Sequence, residues 1–570
     1  MITAENKNNN IIKLILAAII VIWSYATISY GFYVDENGLL SIYKGIYQGQ
    51  RMFVDSWEAL QTGGLLAYPL LALYYQVLQP LFAAFSLNIG LVLYMRICYM
   101  TVRLIISIYL YIVLSDTNYE KGAFPAAAFY YMFVIGWKDF SYKSYCDFAM
   151  ILIMCYIFRF YKTRKSIYGV LTAIVACVAV LAYPSMIIMA VFIGVLWLVL
   201  AVKDEAPSLT VVLYIATCVI LGGMVIVYLQ VTSGLGNVIA QLPNLGDQDY
   251  DHPIYIRLGI MLLSYAVFAV IAYLPIAFIW IVNKLRGIDE YLENTILTLY
   301  FIVFMILVCL LRVESISTSR FIYGCLIIFF WFPYFMRDKE KCEYVRIGSF
   351  ATRQDEDKTA FWTVFILSVV AQLIWSVSTN QEITVPGHMS LYVVIMMILL
   401  FCSEEHECFV LKDFLVLVAV FFMGIWVADS NGGFCHAFEK MIYVTDGELK
   451  GVALPQDEYE TNEAVLNLLN DNVTADDKLL VAFGANCAGY LNSDAWQATY
   501  SVYARTQLNT KLIDYYNINP DNMADYMLLD TGHAKYELFV ENETGKYLLE
   551  TYTEEVASDG NFILLKRGTN

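Results

Sequence analysis

Charge is scarce in this chain. Asp, Glu, Lys and Arg make up 15% of its 570 residues, where a soluble domain carries about a quarter. Basic residues are the scarcer sign, 35 against 52 acidic, and the formal net charge is −17. Binding phosphate backbones needs a basic surface, so the balance points away from nucleic acid. Disorder needs low hydrophobicity and high charge, and here 59% of the residues are hydrophobic. The twelve cysteines show no metal-ligand spacing. Most fall inside apolar runs, where Cys behaves as a small hydrophobe. No repeat with a period of about 20–50 residues is visible, and no inverted repeat of spans. The class left is a polytopic membrane protein with a soluble part.

Long apolar runs are what the chain has. A helical span needs about 20 mostly apolar residues. Such runs occur near 11–30, 92–114, 123–137, 147–161, 167–182, 185–202, 209–230, 256–282, 294–311, 321–336, 360–378, 389–402 and 410–428. They predict about thirteen transmembrane helices. Residues 64–85 are also apolar. Counting them as a span would turn the basic loops around Arg159–Lys165, Lys284–Arg286 and Arg337–Lys358 to the outside, against the positive-inside rule. We therefore expect 64–85 to be interfacial or re-entrant, within one outer loop from 31 to 91. The N-terminus is then cytoplasmic and the C-terminus extracytoplasmic. The first run has no small-residue cleavage site before Tyr30-Gly31-Phe32-Tyr33, so it is expected to stay as an anchor.

The composition changes near residue 429. Residues 1–428 are expected to form the membrane module and 429–570 an extracytoplasmic α/β domain. Residues 460–470 read as a helix with Val465, Leu468 and Leu469 on one face. Leu479–Phe483, Tyr526–Asp530 and Phe562–Leu565 read as strands. This segment has nine basic and 23 acidic residues, a balance of −14. The acidity therefore belongs to the outer domain. Cys435 and Cys487 both lie there, and spacing alone leaves their pairing open.

The first outer loop opens with Tyr33-Val34-Asp35-Glu36-Asn37 and continues as an amphipathic helix. Leu39, Ile42, Tyr43 and Ile46 share a face, and Gly49 can end it. Asp35 is placed as N-cap, where free N–H groups favour its ionised form. A carboxylate at a membrane surface suits a general base acting on a hydroxyl. Plain helix capping is the competing reading.

This layout of first span, Asp-Glu pair, short amphipathic helix and apolar stretch resembles the GT-C superfamily of membrane glycosyltransferases. It is most similar to the bacterial protein mannosyltransferase and aminoarabinose transferase branch. The run Phe53-Val54-Asp55-Ser56-Trp57-Glu58-Ala59-Leu60-Gln61 resembles the second half of that family's loop. The likeness continues weakly through Arg96, Arg103, the many spans and the outer α/β domain. One departure is Thr62-Gly63-Gly64, where many relatives have a Pro-Pro pair. The resemblance implies a polyprenyl-phosphate sugar donor, inversion at the anomeric carbon, catalysis by Asp35, and Glu36 as support or metal contact.

Further candidates follow from chemistry. Asp55, Trp57 and Gln61 have the groups that line sugar pockets, though Trp57 equally suits a membrane interface. In the second outer loop, Asp139 has the chemistry to contact sugar or a divalent metal, and Lys143 to contact phosphate. A solvated turn is the competing reading. In the third, Arg320 and then Arg312 are expected at the phosphate, against simple snorkelling. Arg103, inside a span, is either a second phosphate ligand or half of a structural pair. His388, His252 and the Asn472 and Asn542 sequons are read as incidental.

The expected function is transfer of a sugar from a polyprenyl-phosphate donor to a hydroxyl acceptor of the cell envelope, in the cell membrane. No cofactor is required by this reading, and a divalent metal is compatible with it. The alternatives are a flippase or transporter of lipid-linked glycans, and a glycan polymerase or ligase.

Overall fold

The computed structural model describes residues 4–134, 138–245, 253–287, 289–310, 318–336, 353–379, 383–403 and 440–568. Helices come first. The chain begins with α1 (Ala4–Ala26) and α2 (Val34–Tyr47), then α3 (Gly63–Leu73), which runs on through a π-helical turn into α4 (Gln79–Ala84). The bundle continues with α5 (Leu91–Leu114), α6 (Ala123–Met132), α7 (Tyr142–Thr163), α8 (Ile167–Ala182), α9 (Ile187–Val202) and α10 (Ser208–Thr232). After the short α11 (Leu235–Gln241) come α12 (Ile254–Arg286), α13 (Glu290–Leu310), α14 (Thr318–Phe335), α15 (Arg353–Ser378), α16 (Thr384–Gly387) and α17 (Leu391–Ser403).

Among the described residues nine helices are long and apolar enough to cross a membrane. Three more apolar helices are shorter: Ile11–Ala26, Ile167–Ala182 and Phe321–Phe335. The protein is therefore a helical, multi-pass membrane protein. The expectation of thirteen spans is not met in full. The run at 410–428 lies outside the described residues. The run at 123–137 yields only the ten residues of α6, about 15 Å of helix against a hydrocarbon core of about 30 Å.

A side chain accounts for where α6 stops. Carbonyls at a helix end cannot be left bare inside a membrane. Arg103 on α5 donates from Nε to the Tyr131 carbonyl (3.1 Å) and from Nη2 to those of Tyr130 and Phe133 (both 2.5 Å). Its Nη1 bonds Asp147 Oδ2 (2.7 Å) and the Tyr99 hydroxyl (3.3 Å). Arg103 thus caps a half-helix and neutralises a carboxylate at once.

The stretch Gly63–Ala84 counts among the nine by length and composition, yet it touches one end of the bundle throughout. At its start, Thr62 Oγ1 donates to the Leu181 carbonyl at the end of α8 (2.6 Å). At its middle, the Tyr75 hydroxyl donates to Glu448 Oε1 (2.8 Å). Just beyond it, Gly90 N–H bonds the Lys450 carbonyl (2.7 Å). The stretch lies along the face where the C-terminal domain sits. At the opposite end of the bundle Asp116 pairs with Arg159 (2.6 Å) and Lys162, and Arg164 with Glu356 (3.5 Å).

The C-terminal region is a small α/β unit. A ribbon of β1 (Ile442–Tyr443) and β2 (Ala453–Leu454) precedes α18 (Gln456–Asn472). The main sheet contains β3 (Lys478–Val481), β4 (Trp496–Gln497), β5 (Tyr526–Asp530), β6 (Glu554–Asp559) and β7 (Phe562–Lys566). Its order is β4-β3-β5-β7-β6, with β4, β3 and β5 parallel and β7 and β6 antiparallel. Val465, Leu468 and Leu469 are all buried on α18.

This unit is fused to the bundle. One apolar core runs without a break from α5, α7 and α17 to Val444, Val465 and Leu479. The Tyr30–Gly31 segment pairs with β2, through Gly31 N–H to the Ala453 carbonyl (2.7 Å). Along α2, Asn37 Nδ2 donates to the carbonyls of Ala485 and Cys487 (both 2.8 Å). Gly38 lets the Tyr503 ring approach, since a Cβ there would sit 2.1 Å from the ring.

Candidate active site

The site is built where the start of α2, the loop before α7 and the domain loop after β4 meet. Helix α2 begins at Val34, with Tyr33 as N-cap residue and no side-chain cap. Asp35 therefore stands in the first turn and is not the N-cap. Its carboxylate is partly exposed, and the dipole there favours its charge. No hydrogen bond engages it among the described residues. The Tyr503 hydroxyl donates to the Asp35 backbone carbonyl (2.9 Å) and fixes the turn.

The second carboxyl comes from the loop before α7. The Tyr43 hydroxyl holds this loop through the Phe140 carbonyl (2.8 Å). Ser141 caps α7 by accepting from Ser144 N–H (3.3 Å). Asp139 is 3% exposed. Its Oδ1 accepts from Ser141 N–H (3.2 Å), while its buried Oδ2 has no partner. Burial first, then the nearby charge of Glu36, pushes the Asp139 carboxyl up to about 7, against the opposing pull of Ser141 and Lys143. A group so placed exchanges a proton near neutrality.

Lys143 supplies the cation. It is partly exposed, with Nζ 5.7 Å from the centre of the Tyr142 ring. No ion pair engages it among the described residues. Tyrosines enclose the group. Burial foremost, then the Asp35 charge, pushes up the phenols of Tyr33 and, much further, Tyr503. The charge of Asp139 reaches Tyr503 as well. Both phenols stay protonated donors at neutral pH. Behind them, Trp375 stacks on Tyr142 (5.7 Å) and Tyr183 (4.6 Å) and meets His388 edge-on (4.6 Å). His388 is buried, with Nε2 unpartnered.

Five expected site residues are elsewhere, and each has a physical reason. Glu36 is 1% exposed and holds Arg96 in a two-pronged pair (2.7 and 2.5 Å). The remaining Arg96 donors bind the carbonyls of Ile28, Tyr30 and Gly31. That set anchors the α1–α2 connection and withdraws Glu36 from substrate and metal. Arg103 has all five N–H groups engaged, so none remains for phosphate.

Asp55 is buried between Arg51 (2.7 Å) and Asn522 (3.1 Å). Trp57 lies at neither a sugar pocket nor a membrane interface. It is 1% exposed, donates to Gln241 (2.6 Å) and packs against Tyr515 of the domain. Gln61 is fully buried and ties its own loop, accepting from Phe53 N–H (2.9 Å) and donating to the Glu58 carbonyl (2.6 Å).

No family model matches this chain, and no curated protein matches it.

Of the two remaining candidates, Arg312 lies outside the described residues. Arg320 is in the first turn of α14, two residues before Ile322, whose side chain packs against Gly387 beside His388. Cys435 also lies outside the described residues, and Cys487 is a free thiol that burial pushes up to about 12. No group of three His, Cys, Asp or Glu side chains among the described residues is arranged to hold a metal ion. Tyr33, Tyr142 and Tyr503 were not legible as site residues, because nothing local separates them from the chain's other tyrosines. Only the fold brings them to Asp35.

Proposed function

We propose that the chain is an integral-membrane glycosyltransferase of the GT-C kind. It moves a sugar from a polyprenyl-phosphate donor to a hydroxyl acceptor. The observation that carries this reading is the meeting of Asp35, Asp139 and Lys143 among tyrosines at the junction of membrane bundle and domain. A carboxylate and an ammonium that no hydrogen bond or ion pair engages among the described residues, close together among tyrosines, have the chemistry that the transfer requires.

Asp35 takes the acceptor's hydroxyl proton as that oxygen bonds to the anomeric carbon. The bond from that carbon to the phosphate oxygen breaks, and polyprenyl phosphate leaves with the electron pair. Lys143 stabilises the departing phosphate, and Arg320 is its second cation. Attack opposite the leaving group inverts the anomeric centre. Asp139, near neutrality as acid or base, orients a sugar hydroxyl. The basic end of the bundle is cytoplasmic in this reading, with the site and the acidic domain outside.

The test is transfer by the purified full-length protein from a panel of polyprenyl-phosphate hexoses and pentoses to membrane-fraction acceptors. Asp35→Asn is expected to lower turnover by about 10²–10⁴-fold with an unchanged melting temperature. Lys143→Met is expected to lower it by at least tenfold. Full transfer by Asp35→Asn would falsify the assignment of the base.

A further inference from the structure

A second cavity opens on the other half of α2. It has a volume of about 350 Å³ and lies between α2, the α3–α4 stretch and the loop joining β1 to β2. That is within the ~300–1,000 Å³ range of ligand pockets. Lys44, nine residues along α2 from Asp35, is separated from it by about 14 Å of helix.

We propose that this cavity is a saccharide-binding site, separate from the recess at Asp35. The argument rests on which of its polar atoms are already engaged. Lys44 is 2% exposed. Its ammonium donates to Glu448 Oε1 (3.4 Å) and the Leu491 carbonyl (2.8 Å) and forms an ion pair with Asp494 Oδ1 (3.1 Å). Two carboxylates and a carbonyl already surround this buried cation, which disfavours a phosphate there.

Glu448 is 7% exposed. Its Oε1 accepts from Lys44 and from the Tyr75 hydroxyl, and its backbone N–H is held by Asn492 Oδ1 (3.1 Å). Its Oε2 is buried and has no partner. A buried acceptor left open costs free energy of about 1–3 kcal/mol, and here it belongs to a residue that lines the cavity. The missing partner is therefore a donor. Lys44 is shared by Glu448 and Asp494, and with Lys450 the lining holds two cations and two carboxylates, so a neutral hydroxyl suits the open acceptor.

The rest of the lining fits a hydroxyl-rich ring. Gln79 and Asn470 stand exposed at the mouth, and no hydrogen bond engages their amides among the described residues. Each amide both donates and accepts, as sugar hydroxyls require. Tyr74 and Phe82 supply apolar ring surface on the membrane side. The proposal does not depend on what the Asp35 recess does.

Saturation-transfer NMR on the full-length protein in detergent tests it, with a panel of methyl hexosides and methyl N-acetylhexosaminides as probes. We expect transfer to at least one glycoside, with affinity falling at least fivefold in Glu448→Gln and in Asn470→Ala. Asp35→Asn should leave that affinity unchanged. Gln79→Ala and Asn470→Ala alter only exposed side chains, so they remain informative if Glu448→Gln fails to fold. The proposal fails if no glycoside shows transfer, or if these variants bind as the parent does. It also fails if phosphoethanolamine displaces the glycoside at equal concentration, because the cavity would then be a lipid headgroup site.

Discussion

Asp139 holds a carboxyl group in a place that disfavours its charge. Its folded value near 7 lies above the ordinary carboxyl value of about 3.9. Below about pH 4 both folded and unfolded chains are protonated there, and the group contributes nothing to the pH dependence. Between about 4 and 7 the unfolded chain loses its proton first, so stability falls as pH rises, and the loss is complete above about 7. Asp139→Asn removes this titration. Its melting temperature should exceed the parent's more at pH 8 than at pH 4, reflecting a stability differential on the order of 4 kcal/mol. Thermal unfolding in detergent at the two pH values checks this. An equal offset at both would mean that Asp139 ionises normally.

At the scale of elements, α6 is the one that departs most from its apolar run. Hydropathy located the run at 123–137 but could not show that its helix stops after ten residues. The stop depends on Arg103, some 30 residues earlier, and on Asp147, later in the chain. Arg103→Lys keeps the charge but offers three donors in place of five. It should destabilise the protein by about 2–5 kcal/mol by leaving carbonyls unbonded. Under the proposed function, material that does fold should keep the parent's KM for a polyprenyl-phosphate sugar. A raised KM with a normal melting temperature would restore Arg103 to phosphate binding.

The same limit governs α2 and the loop after it. Its helical stretch and apolar face were readable from spacing. The partners of Glu36, Asp55 and Gln61 were not, because a carboxylate or amide looks the same in sequence whether it meets substrate or Arg96. Strands β3, β5 and β7 were legible as short apolar runs. β6 was not, since its residues Glu554–Asp559 lie on an exposed edge with no buried face to impose alternation.

At the scale of the whole molecule, the bundle and the C-terminal domain are one structure. Lys44 and Asn37 are polar groups on a membrane-side helix, and both are buried by domain residues. Trp57 is covered by Tyr500 and Tyr515 in the same way. Calorimetry on the full-length protein should therefore show a single unfolding transition. A chain ending before residue 440 should aggregate in detergent that keeps the full-length protein monodisperse. A soluble, separately melting domain would contradict this coupling. The change to an acidic composition near residue 429 falls outside the described residues. The sequence said nothing of the contact, because the apolar residues that meet the bundle, such as Val444, Val465 and Leu479, read in sequence as the domain's own core.

The pairing of Tyr30–Gly31 with Ala453, and of Asp35 with Tyr503, also sets a timetable. Ribosomes add ~5–20 residues per second, so the connection between α1 and α2 emerges roughly twenty seconds to a minute and a half before its partners. During that interval the carboxylates of the loop sit beside the membrane without the tyrosines that will enclose them. A chain interrupted before residue 503 then lacks the tyrosine that fixes the first turn of α2.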